Sequence, residues 1–118
     1  LKTIIGVMGG SKVPDRVLSQ ARLLGRLIAE EGWVLLNGGR NTGVMAASAA
    51  GAKEAGGLTV GIVPDSDCQG IATGIDLAIL TGMGEARNVI NVLSSHVVIA
   101  IEGGTGTISS RRCLLPDP

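Results

Sequence analysis

The chain has 118 residues, 45% of them apolar, with ten basic and ten acidic side chains and a formal net charge of zero. That length fits one domain, residues 1–118, near the usual roughly 100–150 residues. The even charge balance gives nucleic acid and anionic membrane no electrostatic footing, and the absence of Phe and Tyr beside a lone Trp33 removes the platforms on which bases stack.

No apolar run reaches the roughly 18 residues of a membrane span, and no basic-then-apolar leader opens the chain. Cys68 and Cys113 have neither metal-ligand spacing nor a disulfide framework. The expected compartment is the cytoplasm. The core has to be built from Val, Ile, Leu, Ala and Met, and the nineteen glycines show no Gly-X-Y period.

Thr3-Ile4-Ile5-Gly6-Val7-Met8 reads as a buried first strand, short, rich in β-branched residues and ended by glycine. Gly9-Gly10-Ser11-Lys12 follows as a loop whose glycines permit close backbone approach. It matches neither G-x-G-x-x-G nor the Walker A spacing. Pro14 and Asp15 suit a helix start. Val17, Ala21, Leu24 and Ile28 then form one apolar stripe, and Gly32 is the expected stop.

Trp33-Val34-Leu35-Leu36 is the second strand. It runs into Asn37-Gly38-Gly39-Arg40-Asn41-Thr42-Gly43 and then a small-residue helix, Val44 to Ala55. A strand, a glycine turn and a helix N-terminus together aim backbone N–H groups at an anion. Arg40 adds a planar fork suited to phosphate or carboxylate. Gly43 lets the helix pack close.

Leu58 to Val63 is the third strand. Pro64 to Gly74 is a longer loop in which Asp65 and Asp67 read as turn residues rather than metal ligands. Cys68 in that loop is expected to be exposed. Leu77 to Leu80 is a fourth strand, and Glu85 to Leu93 a helix with Ala86, Val89, Ile90 and Leu93 on its apolar side. Arg87 sits in the first turn of that helix, where a cation opposes the helix dipole. Either an anionic ligand or a salt bridge to Glu85 or Glu102 would account for it.

His96 opens the fifth strand, Val97 to Ile101, and reads as structural. Glu102-Gly103-Gly104-Thr105-Gly106-Thr107 is a third glycine loop. The remaining stretch, Ser109 to Pro118, is too short for a further packed helix and strand, so a C-terminally truncated fold is expected. The whole reads as an α/β, Rossmann-like, doubly wound parallel sheet in three layers with strand order 3-2-1-4-5. Its three glycine loops would share the carboxyl edge and hold a small phosphorylated molecule.

Four segments carry a family resemblance: Ile4 to Gly9, Gly32-Trp33 through Met45, Gly51 to Gly57, and Thr81-Gly82 through Asn91. Together they resemble the molybdenum cofactor carrier proteins, which belong with the LONELY GUY cytokinin-activating enzymes. The resemblance implies a Rossmann-like fold and a homo-oligomer, with molybdenum cofactor or a nucleotide as bound cargo and no protein-held metal. It implies phosphate contacts from Gly9, Gly10, Ser11, Gly38, Gly39, Arg40, Gly43, Arg87, Gly103, Gly104, Thr105, Gly106 and Thr107.

The alternative it implies is hydrolysis of the N-glycosidic bond of a nucleoside 5′-monophosphate. The enzymes of that group carry P-G-G-x-G-T-x-x-E with an Arg on the preceding helix. Arg87 matches the Arg, but Glu102 replaces the Pro and Ser110 stands at the Glu position. A carboxylate stabilises the positive charge that develops at an anomeric carbon or activates water, and a neutral Ser does neither. A binder with no catalytic residue is therefore the expectation.

Overall fold

The computed structural model describes residues 1–101 and the strand at 108–112. The elements run β1 (Ile4–Gly9), α1 (Asp15–Glu30), β2 (Val34–Asn37), α2 (Gly43–Glu54), β3 (Thr59–Val63), β4 (Leu77–Leu80), α3 (Arg87–Ser94), β5 (Val97–Ile101) and β6 (Ile108–Arg112), with a short 3-10 turn at Gly84–Ala86 before α3. One sheet holds all six strands in the order β4-β3-β2-β1-β5-β6. Strands β1 to β5 are parallel, and β6 is antiparallel to β5.

The α/β architecture is the expected one, but the strand order is not. β4 lies outside β3 instead of between β1 and β5. The physical reason is the connection at 64–76. It contains no helix to span β2 and β1, and its irregular crossover returns the chain only to the neighbouring edge position, where β4 pairs parallel with β3 from Val60↔Leu77 to Val63↔Leu80. Asp76 anchors the strand's start by accepting from the Thr59 N–H at 3.0 Å and from Lys53 Nζ at 2.7 Å. The chain then returns through α3 to β5, which pairs with β1. The winding direction therefore reverses between β1 and β5, the kind of place where open α/β sheets bind ligands. Within the stretch read as too short for a further packed helix and strand, Ser109 to Arg112 pair antiparallel along β5.

Alternation along β1 separates the faces. Ile5 and Val7 join Val17, Ala21 and Ile28 of α1 and Val44, Ala49 and Ala52 of α2 in one buried cluster. Gly6 points the other way, where a Cβ would lie 2.4 Å from Ser95 Oγ at the end of α3. The three expected layers are thus present. The α1 stripe is as read, with Val17, Ala21 and Ile28 buried and Leu24 packed against the cluster.

The α3 face is only partly as read: Ile90 is half-buried, but Ala86 is exposed. Val89 and Leu93, read as inward, are 60% and 68% exposed, whereas Arg87 and Asn91 are 4% and 2% exposed. The helix turns its polar side inward because the carboxyl ends of the strands offer Arg87 backbone carbonyls.

Candidate functional site

β1, β2, β3 and β5 all end on one edge of the sheet, at Gly9, Asn37, Val63 and Ile101. The first two glycine loops meet there. Gly43 (φ 53°) sits so close to the first loop that a Cβ would lie 2.1 Å from Gly10 O, and the Val44 N–H donates to that same carbonyl at 3.1 Å. A Cβ on Gly9 would strike the Val44 side chain at 2.6 Å. Glycine at these positions is what lets the α2 N-terminus seat against the β1 loop.

Asn37, 1% exposed, fixes the second loop from below. Its Nδ2 donates to Met45 O and to Ser48 Oγ, and its Oδ1 accepts from the Gly39 N–H at 2.8 Å. The Gly39 donor is thereby used within the protein. Gly38 serves differently. Its carbonyl accepts from Arg87 Nη1 at 3.0 Å, and a Cβ there would lie 2.0 Å from that nitrogen. Arg87 Nη1 also donates to Ile62 O at 3.0 Å. One guanidinium nitrogen therefore ties α3 to the carboxyl ends of β2 and β3. The cation that opposes the helix dipole answers two strand-end carbonyls, an arrangement sequence reasoning did not anticipate.

Burial pushes the Arg87 pKa below the usual guanidinium value. Glu85 and Asp65 oppose that shift and Arg40 adds to it. The group stays protonated at neutral pH, as arginine does in proteins.

A cavity of about 350 Å³ opens between these parts, within the roughly 300–1,000 Å³ of small-molecule sites. Gly9 and Ser11 of the first loop, Arg40 and Thr42 of the second, and Arg87 of α3 all line it. Of the sequence-predicted residues, Gly9, Ser11, Arg40 and Arg87 are brought together. Gly10, Gly38, Gly39 and Gly43 shape the loops without lining the cavity. Gly103, Gly104, Thr105, Gly106 and Thr107 lie outside the described residues.

Arg40 also lines an adjoining open recess and lies 3.8 Å from the Asp65 carboxylate, both side chains being about 40% exposed. Such a surface pair contributes little to stability and leaves the guanidinium available.

Sequence reading missed Thr42, Glu85, Asn88 and Asn91 as lining residues. The available signal was spacing: Arg87 and Asn91 are an i, i+4 pair and must share a helix face. His96 is structural, as read. Its Nδ1 accepts from the Ile4 N–H at 3.0 Å, and its backbone N–H donates to Ile4 O. Cys68 is exposed. Among the described residues, no three His, Cys, Asp or Glu side chains converge into a metal-binding group, and no helix is long and apolar enough to cross a membrane.

The model of the SLOG cluster4 family matches residues 2–113. Among solved structures, the molybdenum cofactor binding protein of the phototrophic bacterium Rippkaea orientalis is 54% identical with a TM-score of 0.86; the match covers 90% of this chain and 66% of that one. The Moco carrier protein of Chlamydomonas reinhardtii is 47% identical with a TM-score of 0.80, covering 90% and 65%. The cytokinin riboside 5′-monophosphate phosphoribohydrolase of Mycobacterium tuberculosis is 28% identical over 115 residues, covering 90% of this chain and 58% of the enzyme. The chain therefore spans about two thirds of the length of the two similar structures. The fold, the glycine loops and the family model agree, and the chain belongs to the SLOG cluster4 family.

Proposed function

We propose that the cavity at the β1–α3 edge binds a phosphorylated small molecule, and that the cargo is molybdenum cofactor held without chemical change. The observation that carries this reading is the convergence of Gly9, Ser11, Arg40 and Arg87 from three separate elements on one cavity. The Arg40 guanidinium and the Ser11 and Thr42 hydroxyls at the cavity are suited to a phosphate. The carrier and binding proteins of Chlamydomonas and Rippkaea, at 47% and 54% identity, support the choice of cargo. The metal would arrive on the cofactor and take no ligand from the described side chains. Loops 9–12 and 38–43 would hold the phosphate, and Gly103 to Thr107 would add donors from the third loop. Cytoplasmic location and homo-oligomer formation belong to the same proposal.

The test is retention on gel filtration, read as pterin fluorescence after oxidation of the protein fraction. Wild-type protein is expected to carry the cofactor. Arg40→Ala is expected to lose at least tenfold in affinity, since a charge-assisted contact is worth about 1.5–3 kcal/mol. Failure of the wild type to retain cofactor would overturn the reading.

A second reading is hydrolysis of a nucleoside 5′-monophosphate to free base and ribose 5-phosphate by addition of water. Glu85 and Arg87 lining one cavity favour it, as does the 28% identical phosphoribohydrolase. Ser110 at the position of the enzymes' Glu weighs against it. Sustained release of adenine from AMP, abolished by Glu85→Gln, would put this reading first.

A further inference from the structure

Two stretches far apart in sequence meet around Arg40. Arg40 pairs with Ile71 in an isolated antiparallel bridge. The Asn41 N–H donates to Gly70 O at 2.9 Å, and the Ala72 N–H donates to Gly39 O at 2.9 Å. The backbone of Arg40 is therefore held on both sides by residues 70–72. That segment belongs to the irregular connection between β3 and β4, of which no residue lines the cavity.

The segment is itself anchored. Ala72 is 4% exposed, and its carbonyl accepts from the Ile75 N–H at 3.1 Å. Gly74 lies so close to α2 that a Cβ would come 3.0 Å from Ala49 O. The Thr59 hydroxyl, at the start of β3, donates to Gly74 O. Rigid elements thus carry through to the loop that bears Arg40.

The Arg40 side chain needs such a support. Gly38 and Gly39 precede it, and backbone of that kind is permissive on its own. Its ion pair with Asp65, at 3.8 Å with the side chains 42% and 41% exposed, is too long and too wet to fix a guanidinium. Orientation has to come from the backbone. Gly70 shows what the support demands. Its φ is 74°, and a Cβ there would meet nothing within 4 Å. Conformation requires glycine at this position, and space does not.

We infer that residues 70–72 are a positioning clasp for Arg40, with Gly70 as the residue on which the shape of the clasp depends. The clasp fixes the backbone from which the guanidinium reaches the cavity, so that binding does not have to order it. The inference rests on the proposed binding of a phosphorylated ligand, whose phosphate Arg40 would meet. Gly70 acts only through Arg40 and touches no ligand.

The test is a double-mutant cycle between Gly70→Val and Arg40→Ala, read as molybdenum cofactor affinity, with thermal melting alongside. Val is strongly disfavoured at positive φ, yet here it meets no neighbour. Gly70→Val is expected to weaken cofactor binding about fivefold or more when Arg40 is present, and by less than about twofold when Arg40 is already Ala. Gly70→Asn, whose side chain tolerates left-handed backbone, is expected to bind within about twofold of wild type. Equal weakening by Gly70→Val in both backgrounds overturns the inference and makes Gly70 a structural residue. Unchanged affinity in Gly70→Val overturns it too, as does an equal loss for Val and Asn, which would trace to side-chain bulk. Should Gly70→Val fail to fold, Gly70→Ala takes its place in the cycle under the same criteria. Wild-type protein that retains no cofactor, or an Arg40→Ala variant that binds like wild type, overturns the phosphate reading and the clasp with it. That outcome is distinct from the others because it appears before Gly70 is changed.

Discussion

On one face of the sheet α1 and α2 cross through glycine, with a Cβ on Gly25 falling 2.0 Å from Ser48 O and one on Gly51 falling 1.9 Å from Arg22 O. On the other face α3 buries an arginine and an asparagine and turns Val89 and Leu93 toward solvent. The first face is closed: backbone meets backbone, and the apolar cluster of Val17, Ala21, Val44 and Ala49 fills the space. The second face carries a cost, since Arg87 Nε and Asn91 Oδ1 are buried without hydrogen-bond partners among the described residues. Stability is concentrated where contacts are small and apolar. The cavity proposed to bind the ligand is lined from this second face by Arg87 and Asn91, and a binding site there would trade stability for binding.

Three perturbations would break or sharpen that contrast. The largest effect is expected from Gly51→Val in the closed face. The added side chain drives into the Arg22 carbonyl, and overpacking against backbone should cost about 3 kcal/mol. Chemical denaturation should record that loss, and a near-wild-type midpoint would mean that the α1–α2 crossing has room to spare.

Next is Arg87→Met on the open face. It strands the Gly38 and Ile62 carbonyls that Arg87 now satisfies. Unmet buried acceptors should cost about 2–3 kcal/mol in total. Hydrogen exchange should locate the loss at the carboxyl ends of β2 and β3. A loss spread evenly over both faces would contradict their division into a closed and an open one.

The smallest effect belongs to Asp76→Ala at the start of β4, about 1 kcal/mol at pH 7 from its bonds to Thr59 and Lys53. The hydrogen bond from Lys53 holds the Asp76 carboxyl below its ordinary value, with bonds to Thr59 adding and burial opposing. A depressed carboxyl pKa stabilises the fold above the unfolded value of about 3.9. That stabilisation is lost as pH falls through the folded value. The gap between wild type and variant in urea melts should therefore be constant from about pH 7 to 5 and close below about pH 4. A gap that widened with acid would show the sign to be wrong.

Local patterns determined much of the chain. The β-branched runs define β1, β3 and β5, the Val17–Ala21–Leu24–Ile28 stripe defines the buried side of α1, and Gly9 and Gly43 mark the loops that meet at the sheet edge. These are readings over a few neighbouring residues, where covalent geometry and periodicity suffice. Tertiary structure alone decided three things: the position of β4 outside β3, the inward turn of Arg87 and Asn91, and the use of Gly38 as a seat for Arg87. Periodicity tells which side chains of a helix stand together but not which side will face the sheet. That choice is made by carbonyls at positions 38 and 62, far from position 87 in sequence and brought within reach of it only by folding.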